Sequence, residues 1–162
     1  MSHVLWPRVS AAGRIETSMA RNTWNECAEG WLNGWRTMIV LDTSVLIDHL
    51  RRKEQAVQAL DRMNTAGERL TASVMSKVEL LAGMRPSEMQ VTYTLMSAIS
   101  WIDVDDDIAE RAGMYANQYL RSHPGIDPVD YVVAATAARL GATLWTRNVK
   151  HFPMFQGLAS PY

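Results

Sequence analysis

Met38-Ile39-Val40-Leu41-Asp42-Thr43-Ser44-Val45-Leu46-Ile47-Asp48 is the stretch on which the fold turns. Ile39, Val40 and Leu41 form a short, uninterrupted apolar run, the signature of a buried strand. The run stops at Asp42. Val45, Leu46, Ile47 and Leu50 then begin a helical pattern. A strand that ends in a carboxylate and turns at once into a helix is how a parallel α/β sheet presents a reactive acid. Ligands in such sheets gather beyond the carboxyl ends of the strands. Asp42 is therefore the first candidate site residue, with helix N-cap as its alternative role.

Outward from this stretch, strand and helix signals alternate. A second helix is expected over 54–63, with Val57, Leu60 and Met63 on one face, and Asn64-Thr65-Ala66-Gly67 breaks it. Residues 70–73 read as a strand. A helix over 74–84 follows, capped by Ser73 or Ser76, with Val78, Leu81 and Ala82 as its buried face. Pro86 opens a further helix to about residue 99. Residues 101–104 read as a strand. Three consecutive acids, Asp105 to Asp107, then favour the N-terminus of a helix reaching residue 122. Asp127 and Pro128 have the N-cap and first-turn chemistry of a helix that runs to Leu140, where Gly141 stops it. Residues 143–146 form the last strand. This alternation predicts an α/β fold, a mostly parallel sheet flanked by helices.

The chain has 162 residues, of which 48% are hydrophobic and 20% charged, a globular composition with room for one core over 38–162. The net charge is −1, which excludes a global basic field, so any contact with nucleic acid must use a local patch. The single cysteine, Cys27, excludes an internal disulfide framework and fits a reducing, cytoplasmic setting. No apolar run reaches the length of a membrane span, and the first residues lack the order of a secretion signal. Residues 1–37 hold four of the six tryptophans and read as an N-terminal extension, disordered or translated ahead of the true start. A short amphipathic helix over 24–35, acting as an interaction arm or at a membrane surface, is the alternative. Met38 would make a natural initiator.

Three acids are embedded in apolar sequence near element ends: Asp42, Glu79 in Val78-Glu79-Leu80-Leu81, and Asp130 ahead of Tyr131-Val132-Val133. Carboxylates are rarely buried without a partner. A shared cluster would be self-repelling unless a cation sits within it. All-oxygen ligation without His or Cys suits Mg²⁺ or Mn²⁺. Such a site activates water and neutralises phosphate charge, which points to phosphodiester hydrolysis. Asp127 reads first as a cap and second as a ligand. After the last strand, Asn148 falls where a polar group would stand beside Asp42. Arg147, Lys150 and His151 add positive charge there, as a phosphate-binding rim would need.

Together these segments resemble the PIN-domain ribonucleases, and closely the VapC toxins of VapBC toxin–antitoxin pairs. The matching segments are residues 38–47, Ser76 to Leu80, Asp130 to Ala137, and Thr146 to Phe152. The resemblance implies a Rossmann-like sheet and a Mg²⁺-dependent endoribonuclease. It assigns Asp42, Glu79 and Asp130 to the acidic metal site, and places hydroxyls of Ser44 and Thr146 beside it. Many members carry a fourth acid where this chain has Asn148, a neutral ligand or water-orienting group, with Asp127 in partial compensation. The resemblance also implies a homodimer silenced by a VapB-type antitoxin. The other reading is a catalytically degenerate PIN-fold module that binds RNA or protein. A phospho-acceptor domain would need an acidic pair at an earlier strand end, and a haloacid-dehalogenase-type phosphatase would need Asp where Ser44 stands.

Overall fold

The structure, a computed structural model, describes residues 38–162. The reading of residues 1–37 as an extension lies outside the described residues. Four strands are described: β1 (Met38–Leu41), β2 (Arg69–Ser73), β3 (Ser100–Ile102) and β4 (Thr143–Trp145). Six α-helices alternate with them: α1 (Thr43–Leu50), α2 (Glu54–Thr65), α3 (Val74–Gly83), α4 (Met89–Ser97), α5 (Asp106–Tyr119) and α6 (Pro128–Leu140). The strand order is β3-β2-β1-β4 and every pairing is parallel. The α/β expectation therefore holds.

The order of the strands decides where a site can form. The chain moves outward from β1 to β2 to β3, then crosses to the other side of β1 to lay down β4. The strand order reverses between β1 and β4, so their carboxyl ends flank a crevice. The register sets Leu41 opposite Trp145. The next residues along, Asp42 and Thr146, meet in that crevice.

Both faces of the sheet are covered. Ile39 and Leu41 face one layer, with Val45, Leu46, Leu60, Leu80 and Met96. Val40 and Leu144 face the other, with Val133, Ala134, Ala137 and Phe152. Alternation along β1 thus feeds two cores, which is why its sequence is apolar without interruption. The α6 stretch from Val133 to Ala137 is buried throughout, and small residues there let the helix lie close to the sheet.

Several sequence expectations shift. The buried positions of α3 are Ser76 and Leu80, whereas Val78 is 57% exposed. Positions four apart share a helix face, and Val78 lies between them on the opposite side. The helix expected from Pro86 begins as a single 3₁₀ turn, Pro86–Glu88, before α4. The Arg85 amide donates to the Glu88 carboxylate at 3.0 Å and fixes that turn. β3 ends at Ile102 rather than at Val104. Its partner β2 ends at Ser73, opposite Ile102, because Ser73 already caps α3 through the Met75 amide.

Leu46 is fully buried in the first core layer. Leu46→Ala is expected to lower the unfolding free energy by about 2–5 kcal/mol, as read from urea denaturation.

Candidate functional site

Asp42 is 4% exposed and occupies the N-cap position of α1, yet its side chain caps no helix amide. Its backbone N–H donates to the Trp145 carbonyl at 2.9 Å, carrying the β1–β4 pairing one residue further. Its carboxylate is held by two hydroxyls. Ser44 Oγ donates to Oδ2 at 2.5 Å, and Thr146 Oγ1 donates to the same oxygen at 2.7 Å. Each hydroxyl is itself fixed by the loop after β4. The Arg147 amide donates to Ser44 Oγ at 3.0 Å, and the Asn148 amide donates to Thr146 Oγ1 at 2.9 Å. Both side-chain hydrogen bonds thus fall on Oδ2, and Oδ1 accepts none from the described residues. The carboxylate is locked in orientation with one oxygen uncommitted.

Glu79 comes from the exposed side of α3 and accepts a hydrogen bond from Thr43 Oγ1 at 2.5 Å. Asp130 lies in the first turn of α6. Its Oδ2 accepts the Asp127 amide at 3.1 Å and stands 2.9 Å from His151 Nδ1. Asp127 Oδ1 in turn accepts the Val129 amide at 2.9 Å, so Asp127 and Asp130 form a reciprocal capping box. Asp127 is a cap. Asp130 has a cap contact as well as its site-facing role.

The acids sense one another. Partial burial raises the Glu79 pKa; the Thr43 hydrogen bond opposes this, while the charges of Asp42, Asp130 and Asp127 add to it. Burial likewise raises the Asp130 pKa, against hydrogen bonds from His151 and the Asp127 amide, and the Asp42 charge raises it further. Yet among the described residues no three His, Cys, Asp or Glu side chains stand together at metal-ligating spacing. The two findings are compatible: the acids share a field, while Thr43 and His151 hold two of them on separate partners. As chemistry, the donor set fits a hard divalent cation. It is all oxygen, and two of its carboxylates are destabilised as anions by burial and then by their neighbours.

The positive rim is less uniform than the sequence suggested. Arg147 directs its guanidinium to Asp48, Ser160 and Tyr162, not to an open rim. Lys150 is exposed, and so is Asn148, whose backbone holds Thr146. Sequence reasoning missed Thr43 as the partner of Glu79 and placed His151 only as a nearby charge. It also missed Asp48, which is 6% exposed. The one available signal was an acid six residues after Asp42 inside an apolar helix pattern.

A model of the PIN domain matches residues 39–153. The chain belongs to the PIN-domain family. Within that family its similarity is to VapC proteins. Ribonuclease VapC19 of Mycobacterium tuberculosis is 45% identical over 125 residues, which is 77% of this chain and 100% of that protein. Ribonuclease VapC10 of the same species is 40% identical over 125 residues, 77% of this chain and 93% of that protein. Among solved structures, a toxin–antitoxin complex from Klebsiella pneumoniae superposes with a TM-score of 0.63 at 28% identity, covering 76% of this chain and 98% of that one. The DNA-bound VapBC structure from Salmonella typhimurium shares the fold, with a TM-score of 0.64 at 22% identity over 76% of this PIN domain's chain and 96% of its own.

The raised pKa values carry a signed consequence. A carboxylate whose pKa is higher folded than unfolded makes the folded state bind more protons, so stability falls as pH rises through the folded value. Glu79 and Asp130 should both contribute this slope, from the ordinary carboxylate range upward. Glu79→Gln and Asp130→Asn are expected to flatten the fall in melting temperature across that window. A slope unchanged in both variants would show that neither carboxyl is held above its ordinary range in the folded protein.

Proposed function

We propose that this PIN-domain chain is the toxin of a type II toxin–antitoxin pair and cleaves RNA internally in a Mg²⁺-dependent hydrolysis. The observation that carries this reading is the uncommitted Oδ1 of buried Asp42 at the sheet's switch point, within the field of Glu79 and Asp130. Support for RNA as substrate comes from the relatives, which are named ribonucleases, because the acids themselves do not distinguish ribose from deoxyribose. A VapB-type antitoxin is the proposed partner, in keeping with the toxin–antitoxin complexes that share the fold.

Asp42, Glu79 and Asp130 are the residues that would hold Mg²⁺, with Mn²⁺ as a substitute. When bound, the cation neutralises charge on the scissile phosphate and eases deprotonation of the attacking water. Ser44 and Thr146 fix Asp42 Oδ2 by donating to it, so only Oδ1 is left to act. Thr43 keeps the Glu79 carboxylate directed from α3 towards α1. His151 steadies Asp130 by its 2.9 Å contact and supplies positive charge when protonated. Lys150, next to His151 in sequence and exposed, is the proposed contact for a substrate phosphate. Asn148 stands where an acid would complete a four-carboxylate set, so the proposal involves a single cation.

Antitoxin docking has a candidate surface. A groove of 970 Å³ between α1, α2 and α4 is lined by Leu50, Val57, Leu60, Leu95 and Ile99 among others, and no member of the acidic group lines it. Its apolar floor suits a partner helix. Exposed Met114 on α5 and Leu120 just past its end give apolar surface for the proposed homodimer. No helix among the described residues is long and apolar enough to cross a membrane, and a cytoplasmic setting is part of the same reading.

A second reading, a PIN-fold module that binds RNA without cleaving it, is favoured by Asn148 at the fourth corner. One experiment separates the two. Purified protein is incubated with a total RNA pool and Mg²⁺, and new 5′ ends are mapped. The nuclease reading predicts discrete cuts, loss of cutting with EDTA, and recovery when Mg²⁺ is restored. It also predicts that Asp42→Asn lowers the rate by about 100-fold or more while the fold survives. Cation binding without cleavage of any RNA would establish the binding module instead.

A further inference from the structure

Asp48 is a buried carboxylate that the proposed chemistry does not use. It lies near the end of α1 with a side chain 9% exposed. Burial of a charge at such a place is costly unless partners meet it. Three do, from three parts of the chain. Lys53 Nζ, just past α1, is 2.7 Å from Oδ1. Arg147 Nε, in the loop after β4, is 3.7 Å from Oδ2. The Tyr162 hydroxyl donates to Oδ2 at 3.4 Å. Burial first, and then the Asp48 charge, pushes the Tyr162 phenol up to about 12, so it stays a donor throughout the ordinary pH range.

Arg147 links this cluster to the acidic site. Its Nη1 donates to Ser160 Oγ and to the Tyr162 carbonyl, each at 2.6 Å, and its guanidinium stacks 5.0 Å from the Tyr162 ring. The side chain is therefore anchored on α1 and on residues 160–162 at once. Its backbone N–H is the group that donates to Ser44 Oγ, and Ser44 donates to Asp42. The neighbouring amide, of Asn148, fixes the second hydroxyl, Thr146.

We propose that Asp48, Arg147 and Tyr162 form a clamp that positions Asp42: by anchoring the Arg147 side chain, they hold the Arg147 and Asn148 amides against the two hydroxyls that orient the carboxylate. Arg147 is then a positioning residue, not a phosphate ligand. The clamp acts on turnover rather than on RNA affinity, and it makes the segment 160–162 a remote part of the site. This rests on the nuclease reading for its kinetic consequence, but its structural half stands without it.

Two measurements on the full chain test the clamp. In steady-state cleavage of an RNA oligonucleotide, Asp48→Asn, Arg147→Ala and Tyr162→Ala should each lower kcat about tenfold with KM within about twofold. In a Ser44→Ala/Thr146→Val background the same changes should have less than about a twofold further effect, because both routes to Asp42 are already cut. Additive losses in that background would indicate general destabilisation and overturn the proposal. A rise in KM confined to Arg147→Ala would make Arg147 an RNA contact and overturn it too. Independently of cleavage, amide hydrogen exchange should show protection at Arg147 and Asn148 reduced about tenfold in Tyr162→Ala, with Val40 and Leu41 unchanged. Unchanged protection at Arg147 and Asn148 refutes the clamp whether or not the protein cuts RNA. If wild type cuts nothing while the exchange result holds, the nuclease reading fails and the clamp survives.

Discussion

Two hydroxyls converge on a single oxygen of a buried aspartate, and the arrangement of the sheet is what brings them there. A carboxylate that is 4% exposed must be hydrogen-bonded or it will destabilise the fold. Asp42 obtains one donor from its own helix start, Ser44, and one from the end of a strand more than a hundred positions later, Thr146. The second donor exists only because β4 returns beside β1 in parallel register, with Leu41 opposite Trp145. The crossover that makes this possible also creates the crevice in which a ligand of a parallel sheet can sit. Fold and site are therefore set by the same connection.

The acids around that crevice work against stability. Glu79 and Asp130 both have pKa values raised by burial and by neighbouring charge, which means the folded protein resists holding them as anions. Their present partners offset part of this: a hydroxyl from Thr43 and a ring nitrogen from His151. Neither contributes the divalent charge that would neutralise the group. Tolerance of such repulsion is common where function requires it, and it is the physical reason to place a cation among these residues.

Much of this was legible in the amino-acid sequence. The apolar run ending at Asp42 gave the first strand and the leading site residue. Asp127-Pro128 marked the start of α6, and Gly141, which adopts a left-handed φ of 58°, marked its end. Glu79 and Asp130 stood out as acids in apolar surroundings. What escaped the sequence depends on tertiary pairing. The buried face of α3 follows from where the helix lies on the sheet, so Val78 read as core although it is exposed. β3 is short because β2 ends at Ser73. The partners of Arg147 come from α1 and from residues 160–162, and no local pattern links Asp48 to Tyr162. Charge alone made Arg147 read as a phosphate contact, and its contacts with Asp48, Ser160 and Tyr162 were not visible in the sequence.

Asp42 is proposed to offer Oδ1, and not Oδ2, to a cation shared with Glu79 and Asp130. A crystal structure with Mn²⁺, located by its anomalous scattering, tests this directly. The expected result is Mn²⁺ held by Asp42 Oδ1 together with Glu79 and Asp130, with Ser44 and Thr146 still on Oδ2. Mn²⁺ absent from these acids at saturating concentration, or bound to Oδ2 with the two hydroxyls displaced, would contradict it.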